Sequence, residues 1–65
     1  KETLVFEIAD PAQVAIPVRL HQHDNGTFSV VYGGEARRGL TYGHAAEEFG
    51  LCLMLSLYSL GRITR

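Results

Sequence analysis

A run of twelve uncharged residues, GLCLMLSLYSLG at 50–61, lies near the end of a chain of only 65. So short a chain buries only about 60% of the surface that its unfolded form exposes. It forms one domain, 1–65, with little material to wrap a helix on every side. The fold must therefore leave part of this run uncovered or find a partner for it. Crossing a bilayer is not the answer. A spanning helix needs about 20 apolar residues, and Ser56 and Ser59 interrupt this shorter run.

Upstream, the pattern is that of strands. TLVFEIA, 3–9, alternates, with Leu4, Phe6 and Ile8 on one face and Thr3, Val5 and Glu7 on the other. DPAQ, 10–13, is a turn signal. VAIPVRLHQH, 14–23, alternates again, with Val14, Ile16, Val18, Leu20 and Gln22 on one side. DNG, 24–26, turns the chain, and TFSVVY, 27–32, returns. A two-residue Asn25-Gly26 loop would set Leu20 against Val31 and mix apolar with polar side chains. A three-residue Asp24-Asn25-Gly26 loop sets Leu20 against Val30, Val18 against Tyr32 and Gln22 against Phe28. It keeps one apolar face. A one-residue slip would flip every side chain, so the longer loop is expected, closed by Gly26 in the left-handed region. Pro17 has no donor for a ladder. It implies pairing on one side only at that point, or a bulge.

GGEARRG, 33–39, reads as a loop. Thr41 can cap a helix running from Tyr42 to Leu60, with Glu47 and Glu48 in its early turns, Gly61 at its end and Arg62 and Arg65 beyond. The expected fold is α+β: a three-stranded antiparallel sheet, β-β-β-α, packed on one long C-terminal helix. On a 3.6-residue wheel, Tyr42, Ala45, Ala46, Phe49, Leu53, Leu57 and Leu60 share the face expected against the sheet. Leu51, Leu55 and Tyr58, with Met54 beside them, form a second stripe on the other side. A three-stranded sheet covers one side only. Either the C-terminal tail or the 33–40 loop folds over the second stripe, or the stripe is an interface. Leaving such side chains wet forgoes about 1.5–3 kcal/mol each, and a contiguous apolar patch marks an interaction site. Leu51, Met54, Leu55 and Tyr58 are therefore the candidate partner-binding residues. The partner is a host or cognate protein, or a second copy forming a homodimer.

Charge and chemistry narrow the function. The formal net charge is −1, so no global field draws the chain to nucleic acid or to acidic membranes. The first half is mildly acidic and the second mildly basic, through Arg37, Arg38, Arg62 and Arg65. Arg37 and Arg38, just before the helix, are candidates for contact with an anion or nucleic acid, against solvated loop charges. The arginines lack interleaved exposed aromatics, a weak nucleic-acid pattern. His21 and His23 project from one strand face, with Glu7 as a conceivable third ligand, but a zinc site needs three or four. A solvated polar face is the expectation, with no metal and no cofactor. No serine, cysteine or histidine set reads as nucleophile and base, so the chain is expected not to be an enzyme. The single cysteine, Cys52, excludes an internal disulfide, fits a reducing compartment and reads as a small buried hydrophobe. The N-terminus lacks a signal peptide's apolar core, and its missing methionine suggests trimming or a start further upstream. The expected location is the cytoplasm.

One stretch, FSVVYGGEARRGLTYGHAAEEFGLCLMLSL at 28–57, resembles the second half of HicB-type antitoxin modules. There a strand leads through a loop to G-x-T-x-x-E-A and a helix. Gly39, Thr41 and Ala45 match that opening, and His44 stands at the glutamate. The resemblance implies a partner that is a small ribonuclease toxin. In size and standalone layout the chain is similar to small phage-encoded anti-CRISPR inhibitors, which implies an inhibitor of another protein.

Overall fold

A computed structural model describes all of residues 1–65. The elements follow as β1 (Glu2–Ile8), β2 (Val18–His23), β3 (Phe28–Tyr32), β4 (Glu35–Leu40) and α1 (Tyr42–Ser59). The strands form one antiparallel sheet in the order β1-β2-β3-β4. The α+β class and the single C-terminal helix are as expected, but the sheet has four strands, not three. The loop expected at 33–39 is the turn and most of the added strand. Gly33, at φ 60°, and Gly34 close a tight hairpin between Tyr32 and Glu35. β4 then follows with charged side chains, Arg37 reaching Glu48 of the helix at 3.4 Å.

The β2–β3 register is the one that burial demanded. Leu20 lies opposite Val30, Val18 opposite Tyr32 and Gln22 opposite Phe28. The Asp24-Asn25-Gly26 loop closes with hydrogen bonds from the Gly26 N–H to the His23 carbonyl and from the His23 N–H to the Thr27 carbonyl, both 2.9 Å, with Gly26 at φ 85°. Pro17 needs neither expected device. β2 begins at Val18, so the proline sits just outside the ladder, and its carbonyl accepts from the Gly33 N–H at 3.1 Å. Residues 14–17 leave the sheet, and Val14 plugs the end of the core.

β1 departs from simple alternation. Its register shifts between Leu4 and Phe6, so one extra residue is accommodated there. Phe6 and Ile8 lie opposite Leu20 and Val18, on the face toward the helix. Leu4 lies opposite His21 and Glu2 opposite His23, on the outer face. Leu4 therefore does not share a face with Phe6 and Ile8. A bulge changes the parity of everything beyond it.

The core is Val18, Val30 and Cys52, with Val14 and Ala45 also buried and Ile8, Leu20, Tyr32, Leu40 and Phe49 packed around it. α1 lies across β2, β3 and β4, and reaches β1 through an edge-on contact of Phe49 with Phe6. The helix starts at the Thr41 cap, whose hydroxyl accepts from the His44 N–H at 3.3 Å. It ends at Gly61, φ 79°, with the Gly61 N–H bonded to the Tyr58 carbonyl and the Arg62 N–H to the Leu57 carbonyl. These paired bonds satisfy carbonyls that a helix end leaves open.

The helix is turned about its axis relative to the apolar-stripe expectation, by roughly 65° at 100° per residue. Its buried residues are Ala45, Cys52 and Ser56, not the leucines. Tyr42 is 81% exposed, and Ala46 and Leu60 are also exposed. The cause is polar. Ser56 is fully buried; its hydroxyl donates to the Ile16 carbonyl at 2.7 Å and accepts from the Ile16 N–H at 2.8 Å. Small side chains on this face let the helix approach the sheet and the 14–17 segment closely. Leu53 and Leu57 end at the margin, half-buried.

Candidate functional site

The rotation leaves the second stripe facing outward. Leu51 is 57% exposed, Met54 56% and Tyr58 46%. Leu55 is half-buried, turned toward the flank of the helix. Three of the four expected residues thus form an open apolar surface, with Leu55 at its edge. Neither expected cover lies over its centre. The 33–40 segment is largely strand β4, held in the sheet. The tail reaches one end only: Arg65 stacks over the Tyr58 ring at 4.9 Å, and Arg62 donates to the Gln13 carbonyl at 3.3 Å. Leu51 and Met54 stay clear.

The other candidates lie elsewhere in the sheet. Arg37 and Arg38 lie on β4, not in a loop before the helix. Arg37 is opposite Val30 and is taken up by Glu48, while Arg38 and Gly39 form a bulge opposite Ser29. Glu7, the conceivable third ligand, binds Arg19 instead.

The histidines are half-buried rather than freely solvated. Glu2, which the sequence reading did not single out, lies between them. One carboxylate oxygen is 3.3 Å from His21 Nδ1 and the other 3.5 Å from His23 Nε2. Despite that distance, the buried Nδ1 makes no directed hydrogen bond. His23 Nε2 also lies 2.6 Å from the Ser29 hydroxyl. Ser29 and the carboxylate thus meet the same ring nitrogen, and Ser29 is only 1% exposed. A serine relay needs the base and its orienting acid on the two different nitrogens, with an accessible hydroxyl. No group of three or more His, Cys, Asp or Glu side chains is arranged to hold a metal ion. The signal for Glu2 lay in the bulge: without it, Thr3 rather than Glu2 would share the histidine face.

Cys52 is buried against the sheet. Burial raises its thiol above the ordinary 9.0; Glu48 and Glu35 add to the rise and Arg37 opposes it. An open apolar groove of about 170 Å³ lies between the sheet and the first half of the helix, lined by Leu20, Phe28, Tyr42, Ala45, Ala46 and Phe49. Tyr42 packs edge-on against Phe28 there. The lining presents no charged group or amide to orient a ligand.

No helix is long and apolar enough to cross a membrane. Compared with known proteins, the chain matches no family model, no curated protein and no solved structure.

Proposed function

We infer that the chain is a non-enzymatic, cytoplasmic protein-binding module that inhibits or regulates another protein, as the small anti-CRISPR-like inhibitors of similar size and layout do. One observation carries this reading. Leu51, Met54 and Tyr58 stand side by side in the open on a helix whose opposite side is already docked. Three large apolar side chains at i, i+3 and i+7 are the spacing by which one helix face enters a partner's groove. Tyr58 adds a hydroxyl at the rim, and Met54 adapts its shape to a target.

The test is capture of a partner from the host by the tagged chain, repeated with Leu51→Glu. The reading requires a protein held by the wild type and released by the variant, with the variant still folded. Equal capture by both would remove the stripe from the binding role.

A further inference from the structure

The two edges of the sheet differ in chemistry. β4 carries Glu35, Arg37 and Arg38, and its bulge at Gly39 breaks the ladder. Both edge strands carry a bulge, so it is the charges that set β4 apart, and charges of this kind protect a free edge. β1 carries no charge from Thr3 to Phe6, and Leu4, Val5 and Phe6 are each about half exposed. The helix lies over the other three strands. The acids of β1 are already engaged, Glu7 with Arg19 and Glu2 against His21 and His23. The open side of β1 is a row of unpaired backbone N–H and C=O groups beside an uncharged apolar stretch. Another β-strand satisfies such a row.

We propose that β1 pairs antiparallel with β1 of a second copy, about a two-fold axis normal to the sheet, joining two four-stranded sheets into one of eight. The bulge and the charges together select the register. Residues directly opposed in an antiparallel pair share a face. Thr3, Phe6 and Ile8 belong to the helix face, and Glu2, Leu4 and Glu7 to the outer face. An unbroken strand would pair with itself by setting residue 5 against residue 5, or 6 against 6. Here such registers oppose Leu4 to Phe6 or to Ile8, across faces. Two registers that run through most of the strand respect the faces of its ladder-paired residues, Val5 being the extra residue at the bulge. One sets Glu2 against Glu7 of the second copy, like charge on like charge. The other sets Thr3 against Ile8, Leu4 against Glu7 and Val5 against Phe6, with Glu2 opposite the neutral Ala9. The second is the dimer. Its centre is a quartet of two Val5 and two Phe6, each Phe6 backed by its own Phe49. A two-fold contact closes on itself, whereas β1 on β4 would run on as a fibre.

Light scattering of the full chain tests this. The wild type is expected at twice 7.2 kDa. Val5→Lys should halve that mass while circular dichroism keeps the folded signature, and Leu51→Glu, on the helix, should leave the dimer intact. This keeps the proposal separate from the reading of the helix stripe. The register is read with Leu4→Cys combined with Glu7→Cys. Within one strand these positions lie about 10 Å apart, too far for a disulfide, so oxidation should give a covalent dimer. A monomeric wild type at millimolar concentration, a doubled mass retained in Val5→Lys, or a dimer lost in Leu51→Glu overturns the proposal. If Val5→Lys does not fold, the double-cysteine chain decides, and oxidation that yields no covalent dimer overturns it.

Discussion

Ser56 sets the orientation of the helix through two short hydrogen bonds to a single residue, Ile16. Both backbone groups of Ile16 depend on that hydroxyl in a part-buried setting. Ser56→Ala should leave them unpartnered and cost about 1–3 kcal/mol in chemical denaturation, a large share of the ~3–5 kcal/mol available to so small a domain. Ser59→Ala, on an exposed residue, should change little. Equal effects would remove Ser56 from this role. Cys52 makes a second prediction. Its folded thiol titrates above the ordinary 9.0 because burial disfavours the thiolate. Below that pH both folded and unfolded chains hold the proton, and the thiol's contribution to stability is fully present. As pH rises past 9.0 the unfolded chain ionises first, so the contribution is lost up to the folded value. Unfolding midpoints measured across this range should fall, and the Cys52-dependent part of the fall should vanish in Cys52→Ala. The burial of Cys52 was legible in the sequence. That of Ser56 was not, because counting apolar residues on a wheel reads a serine as surface.

At the scale of elements, the fourth strand was missed although its turn was written plainly. Two glycines after an alternating run are a hairpin signal, but EARRGL has no β-branched or aromatic residue. What holds β4 is pairing to β3 and the Arg37–Glu48 ion pair, neither visible to a propensity count. The two hairpin glycines separate cleanly in a mutational test. Gly33 sits at φ 60°, and a Cβ there would meet Ile16 Cγ2 at 3.0 Å. Gly34 has neither the positive φ nor a close neighbour. Gly33→Ala should therefore destabilise by about 1–2 kcal/mol from the left-handed backbone alone, and Gly34→Ala far less. Thermal unfolding of the two variants checks this, and a reversed order would contradict the hairpin geometry. The β2–β3 register, by contrast, was legible, since only one loop length kept an apolar face. The bulge in β1 was not, because its pattern fits unbroken alternation equally well.

For the whole molecule, one helix on one face of a four-stranded sheet cannot bury both of its sides. The charge-free run at 50–61 thus divides. Cys52 and Ser56 go inward, Leu53, Leu55 and Leu57 line the margin, and Leu51, Met54 and Tyr58 face out. That a second stripe would stay uncovered was legible from chain length against helix circumference. That Leu55 would sit at its edge depended on the helix rotation, which the serine decides. The central claim is that this outward stripe binds a partner rather than completing the core. Leu51→Glu tests it directly when unfolding and partner capture are measured on one preparation. The account predicts a variant whose unfolding free energy lies within about 0.5 kcal/mol of the wild type, as for surface substitutions, and which no longer holds the protein that the wild type captures. A variant that unfolds, or one that stays folded and captures the same protein as well as the wild type does, would contradict it.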